Sequence, residues 1–316
     1  MYSFKRLSQV FESADRISFD DSSKLIMMSD CHRGDGSQAD EFFNNENLYI
    51  SALNYYYNEG FTYIEIGDGD ELWENKKLSD IMNAHPNSFR MLRKFYEDKR
   101  LYFIYGNHDM VKRNAKYVKA NLYRYYDKQE EKELSLFEGI KVHEGLVLEY
   151  HGEDGKAAGK PIFLVHGHQV DFLNSTLWKY ARFLVRHLWR PLELFGINNP
   201  TSPAQNQEKK EKIGRRLTDW VIRENQMLIA GHNHRPMFPE IGEPLYFNDG
   251  SCVHPLLITG IEISNGGIAL VKWNVKVTEE GLLYVGRDMI AGPKKLGEFF
   301  GAERIFESCS LKDPAV

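Results

Sequence analysis

Leu25-Ile26-Met27-Met28-Ser29-Asp30-Cys31-His32 is an unbroken apolar run that stops on a carboxylate and an imidazole. Four apolar residues without polar alternation read as a strand buried on both faces, as in a sheet covered by helices. The same phrase recurs along the chain. Residues 63–66 lead into Gly67-Asp68, 101–105 into Gly106-Asn107-His108-Asp109, 161–165 into His166-Gly167-His168, and 228–230 into Gly231-His232-Asn233-His234. Each apolar strand therefore ends in metal-type ligands. Carboxyl ends of strands are the edge where sites assemble in open α/β sheets, so the clusters are expected to converge.

Between the first strands, residues 41–58 carry Phe42, Tyr49, Leu53 and Tyr56 at near-helical spacing with Gly60 as a stop, and 88–98 reads as a second helix. Alternating strand and helix argue for an α/β architecture. Residues 141–150 read as strand. The C-terminal third reads as antiparallel: 245–248, then 259–263 and 268–277 joined at Asn265-Gly266-Gly267. Between 171 and 215 the rhythm breaks. Leu173, Leu177, Tyr180, Leu184 and Leu188 trace one helical face, and 208–225 is helical through Ile213, Leu217, Trp220 and Val221. The expectation is a domain over 1–277, with 171–215 as an inserted helical cap above the site. Residues 278–316 would be a C-terminal extension packed on that domain, with a helix-like stretch near 299–306.

The 316 residues are 42% hydrophobic and 13% aromatic, enough for one large domain or for one domain carrying an inserted lobe. A net charge of −5 offers no global basic field, so no stable nucleic-acid binding is expected. Cys31, Cys252 and Cys309 are too scattered for a disulfide framework and suit a reducing compartment. The first sixteen residues are broken by charges where a signal peptide needs a continuous apolar stretch, and no apolar run approaches the ~20 residues of a membrane span. These features predict a cytoplasmic protein. No Gly-x-x-x-x-Gly-Lys-Ser/Thr loop or dinucleotide fingerprint is present, leaving kinase, NTPase and dehydrogenase readings without support.

Asp, His and Asn offer oxygen and nitrogen ligands suited to manganese, iron or zinc. Two such ions roughly 3.5–4 Å apart clamp an in-line displacement and generate a nucleophile near neutral pH. Phosphate-ester hydrolysis needs both, with positive charge where the phosphoryl oxygens become more negative.

The ordered series Asp30-x-His32, Gly67-Asp68-x-x-Glu71, Gly106-Asn107-His108-Asp109, His166-Gly167-His168 and Gly231-His232-x-His234 resembles the calcineurin-like metallophosphoesterase superfamily. The resemblance covers roughly the middle two-thirds of the chain. It implies a four-layer α-β-β-α sandwich of two packed mixed sheets with an inserted helical cap. It also implies a dinuclear phosphohydrolase that cleaves a phosphomonoester, phosphodiester or pyrophosphate bond by attack of a metal-bridging hydroxide. Carried over residue by residue, Asp30, His32 and His234 would hold the first ion and Asn107, His166 and His232 the second, with Asp68 bridging. His108 would contact the phosphate and protonate the leaving group. Glu71 would orient His108, with Asp109 as the competing candidate. The cofactor implied is two divalent ions, manganese first, with iron and zinc as alternatives.

Within that superfamily, His32-Arg33, Glu71-Leu72-Trp73 and Asp109 stand where protein phosphatases have Asp-x-His-Gly, Asp-Arg-Gly and Gly-Asn-His-Glu. Glu71-x-Trp73, the His232-x-His234-Arg235-Pro236 ending and the inserted helices resemble the branch containing UDP-2,3-diacylglucosamine pyrophosphatases, which act on a lipid-linked nucleotide diphosphate. Two positions depart from that branch: it commonly has Arg where His108 stands and Asp where His168 stands. The expected substrate is a phosphorylated small molecule or a lipid-linked one. The alternatives are a nuclease or cyclic-nucleotide phosphodiesterase on the same site, and a non-catalytic scaffold on the same fold.

Arg33 and Arg235 adjoin ligands, and a guanidinium can grip phosphate bidentately. Both are expected substrate contacts, as is His168. His85, His143, His151, His187 and His254 receive no functional role. In the cap, Phe172, Trp178, Phe183, Trp189 and Phe195 make an apolar stretch interleaved with basic residues. It would pack on the domain or form a homodimer contact, or else receive an acyl chain or touch a membrane surface. Lys209, Lys210, Lys212, Arg215 and Arg216 read as a solvated helix face that could also attract an anionic substrate.

Overall fold

The structure is a computed structural model and describes residues 2–127, 131–152, 159–171, 178–186 and 207–302. In chain order, α1 (Tyr2–Ser13), β1 (Asp15–Asp20) and β2 (Leu25–Met28) precede α2 (Glu46–Asn58) and β3 (Thr62–Ile66). Next come α3 (Leu78–Ala84), α4 (Pro86–Glu97), β4 (Leu101–Ile104) and α5 (Ala115–Asn121), then a small ribbon of β5 (Arg124–Asp127) and β6 (Lys132–Ser135). β7 (Val142–His143), β8 (Gly145–His151) and β9 (Lys160–Val165) follow, then α6 (Trp178–Leu184), α7 (Gln207–Glu224), β10 (Met227–Ala230) and β11 (Tyr246–Asn248). The described chain closes with β12 (Leu257–Ser264), β13 (Gly267–Val277), β14 (Leu283–Lys295) and α8 (Leu296–Gly301).

Two mixed sheets form. One runs β14-β13-β12-β2-β3-β4-β7, the other β1-β8-β9-β10-β11. Alternation along β2 shows how they stack. Leu25 and Met27 join the core that holds Ile64, Ile66, Leu146 and Leu164, whereas Ile26 and Met28 pack with Tyr49, Leu53, Leu92 and Phe95 of α2 and α4. A period of two thus sends one set to the other sheet and one to the helices. On the far side Leu7 and Val10 of α1 and Leu217 and Trp220 of α7 cover the second sheet. The result is a four-layer α-β-β-α sandwich, and strands buried on both faces explain why β2 and β10 are apolar throughout.

Several expectations need correction. Residues 141–150 are not one strand: β7 pairs with β4 and β8 with β9, so the chain changes sheets at Glu144. Tyr246–Asn248 is not antiparallel but pairs in parallel with β10, because it continues the second sheet rather than the C-terminal hairpin. β14, read only as a tail, pairs with β13 over most of its length. α7 does match the helix expected over 208–225, and its buried face belongs to the core. Of the cap, Phe172, Leu173, Leu177, Leu188, Trp189 and Phe195 lie outside the described residues. Among the described residues, no helix is long and apolar enough to cross a membrane.

Candidate metal centre

β2, β3 and β4 run parallel, as do β9 and β10, and the loops after all five meet between the two sheets. Crossing contacts fix the meeting. His166 sets Nδ1 2.8 Å from the carbonyl of Ile66, and the His232 N–H donates to Asp30 Oδ2 at 2.8 Å. Asp30, His32, Asp68, His232 and His234 all have φ between 47° and 70°. Left-handed backbone is uncommon for such residues and concentrates where function over-determines conformation.

The ligand atoms of Asp30, His32 and His234 lie within 4.8 Å of one another, and so do those of Asp68, His166 and His232. Asp68 Oδ2 stands 3.1 Å from His166 Nε2 and 3.9 Å from His32 Nε2, so this member of the second triad also faces the first. His234 Nε2 is 3.0 Å from Asp30 Oδ1. Asp30 Oδ1, His32 Nε2, both amide atoms of Asn107, His166 Nε2 and His232 Nε2 are buried without a hydrogen-bond partner. Buried polar atoms are seldom left so, and a cation is one of the few things that would satisfy carboxylate, amide and imidazole together. The donor set therefore fits divalent ions.

Supporting contacts hold four of the candidate ligands, His166, His32, Asp30 and Asp68, and the two imidazoles keep one nitrogen inward, as ligating histidines generally require. His166 Nδ1 is occupied by a carbonyl and His32 Nδ1 by Glu71 Oε2 at 2.9 Å, which leaves Nε2 of each facing the centre. Asp30 Oδ2 accepts from Ser29 Oγ, itself 2.8 Å from Asp249 Oδ1. Asp68 Oδ1 accepts the His108 N–H at 2.7 Å. Glycine is required where these loops touch: a Cβ on Gly106 would lie 2.1 Å from Asp68 Oδ1.

The electrostatics follow. Burial pushes the Asp68 carboxyl up, but the imidazoles of His166 and His108 outweigh it and hold Asp68 well below the usual range. Burial likewise opposes ionisation of Glu71, yet His108 and His32 bring it down to about 2. Burial, with His166 and His232 alongside, drives His168 well below the usual imidazole value, so it is neutral.

The catalytic candidates separate. His108 sits half-buried at the rim, its Nδ1 2.6 Å from Glu71 Oε2, stacked on Trp73 at 4.3 Å and 20°. Asp109 faces elsewhere: Oδ1 accepts the Gly106 N–H and Oδ2 takes Lys112 Nζ at 2.7 Å. Glu71, not Asp109, is the carboxylate that lies against the His108 ring. Arg33 is buried and spends its guanidinium on Asp70, Glu65 and Tyr49, because it links the loops beneath the centre rather than facing a substrate. Arg235 is exposed. His168 lies behind His166 and His232, with ring centroids 5.5 and 6.5 Å away, and is 2% exposed.

Sequence reasoning missed Asp171. It is buried, with Oδ2 3.9 Å from His232 Nε2 and 3.1 Å from Lys209 Nζ, so it joins the second triad to the start of α7. Only its place three residues beyond His168 could have signalled it. The role of Trp73 was missed too. Arg186, just past α6, donates to the carbonyls of Leu72, Trp73 and Asn75, so the segment after α6 grips the loop that carries Glu71.

No family model matches the sequence. No curated protein matches it either. Among solved structures, the fold is similar to the crystal structure of Chaetomium thermophilum Vps29, at 10% identity and a TM-score of 0.39, covering 85% of this chain and 96% of that one. The chemistry rests on the geometry of the centre itself.

Proposed function

We propose that the protein is a dinuclear metal-dependent phosphohydrolase. The observation that carries the reading is the convergence of unpartnered buried ligand atoms from four separate strand ends, after β2, β4, β9 and β10, around the Asp68 carboxylate from a fifth. Asp30, His32 and His234 would hold one ion and Asn107, His166 and His232 the other, with Asp68 shared. When bound, the pair supplies positive charge for the phosphoryl oxygens and a nucleophile at neutral pH. His108 then delivers a proton to the departing oxygen. Glu71 holds its Nδ1, leaving Nε2 for that task, while Trp73 covers one face of the ring and limits its rotation.

Manganese is the ion we favour, and the reducing cytoplasm the compartment; Cys31 and Cys252 are free, buried thiols. The finer reading of the substrate is a lipid-linked pyrophosphate. Its support is the Glu71-x-Trp73 pattern and the exposed Tyr180, Phe183 and Leu184 on α6. The test is hydrolysis of a monoester, a diester, a nucleotide-sugar pyrophosphate and single-stranded DNA, each with added manganese and with chelator. Metal-dependent turnover of any phosphate ester or pyrophosphate supports the reading. No turnover of any of them, with no metal bound, would leave a scaffold.

A further inference from the structure

Beneath the centre lies a layer of buried charge that the proposed chemistry does not use: Arg33, Glu65, Asp70, Asp109 and Lys112 are each at most 3% exposed. Charged groups are costly to remove from water, and an apolar set of similar volume often serves stability as well or better. Their arrangement gives them another purpose. Asp70 divides its oxygens, Oδ1 accepting from Arg33 Nε at 2.7 Å and Oδ2 facing Lys112 Nζ at 2.6 Å. Lys112 Nζ also donates to Asp109 Oδ2, and Asp109 Oδ1 accepts the N–H of Gly106, the residue before Asn107, at 2.6 Å.

Three ligand loops are bound together in this way, by different means. The loop of Asp30 and His32 is already joined to that of Asp68 by backbone hydrogen bonds, His32 N–H to the Asp68 carbonyl at 2.9 Å and Arg33 N–H to that of Gly69 at 3.0 Å. The loop of Asn107 and His108 reaches Asp68 through the His108 N–H, which uses the ligand carboxylate itself. Lys112 supplies a tie that leaves the ligand atoms uncommitted.

We propose that Lys112, gripped between Asp70 and Asp109, is a positioning residue that fixes Asn107 relative to Asp68 and so sets the spacing of the two cations. The proposal rests on the two-cation reading above. A compact ammonium with three donors suits a joint between two carboxylates.

The test is manganese titration of the full chain, followed by binding and by the electron paramagnetic resonance spectrum of the coupled ion pair. Lys112→Met removes the tie but leaves two buried carboxylates short of a cation. The double variant Lys112→Met/Asp109→Asn removes that imbalance, and the Asn carbonyl oxygen can still accept the Gly106 N–H. Both variants are expected to weaken the second manganese by roughly 10–100-fold, the range for lost outer-shell support, to leave the first unchanged, and to lose the wild-type coupled spectrum. The proposal is overturned if the double variant binds both ions with wild-type affinity and spectrum. It is also overturned if the double variant does not fold, which would make Lys112 a structural residue. Wild-type chain that binds fewer than two ions would overturn the two-cation reading and this proposal together.

Discussion

His32 and His108 stand edge to face, ring centroids 4.6 Å apart, and both turn Nδ1 to the same oxygen, Glu71 Oε2. One carboxylate oxygen thus holds both the ring of a candidate ligand and the ring of the proposed proton donor. Glu71→Gln is therefore expected to lower metal affinity by roughly 10–100-fold and to lower turnover at saturating metal as well. Titration calorimetry and steady-state kinetics on the same preparation check this. Loss of turnover with untouched metal binding would separate the two roles.

His108→Ala should reduce turnover by about 10²–10⁴-fold, the usual worth of a positioned proton donor, with both ions retained. Because Trp73 only restrains the ring, Trp73→Leu should give a smaller loss. Metal analysis alongside turnover distinguishes the cases, and an unchanged rate for His108→Ala moves the proton transfer to another group.

Gly106→Ala would place a methyl 2.1 Å from Asp68 Oδ1 and 2.5 Å from the Asp68 backbone N. Neither can retreat without shifting a ligand, so metal binding should fall sharply. A methyl added at Gly297 would meet nothing within 4 Å, and the backbone there is ordinary, so Gly297→Ala is the matched control. Equal metal affinity in the two variants would contradict the close packing of the ligand loops.

His85 supports the chain just after the first ligand loop. It is buried, its Nε2 2.7 Å from Asp40 Oδ2 and its Nδ1 3.1 Å from Glu46 Oε2. Burial disfavours its charge, but the two carboxylates outweigh that and raise it from 6.5 to about 9. A folded value above the unfolded one stabilises fully below about pH 6.5 and is lost as pH rises through about 9. The wild type should lose on the order of 3 kcal/mol of unfolding free energy across that window. His85→Gln should be less stable at pH 6.5 and flatter above it. Denaturant melts at pH 6.5 and 10 read the difference, and parallel curves for the two chains would refute it.

The strands that carry the site were legible because burial on both faces leaves an unmistakable apolar run, as in Leu25–Met28 and Met227–Ala230. The candidate ligands could be picked out because they cluster just after such runs. β1 was not: Asp15-Arg16-Ile17-Ser18-Phe19-Asp20 is an edge strand with one buried residue, so its sequence carries little hydrophobic signal. β14 was hidden by Gly286, Gly292 and Pro293 and by its exposed apolar residues, although it pairs with β13. Arg33 misled for a different reason. Adjacency to a ligand suggests substrate, and only tertiary contact reveals that Glu65 and Asp70 claim its guanidinium. Asp171 gains meaning only from His232 and Lys209, and Lys112 from Asp70, partners distant in sequence.

The most direct measurement is anomalous diffraction from crystals soaked in manganese. Two peaks roughly 3.5–4 Å apart are expected, one bounded by Asp30, His32 and His234, the other by Asn107, His166 and His232, with Asp68 touching both. A single peak, or peaks away from these side chains, would contradict the dinuclear centre.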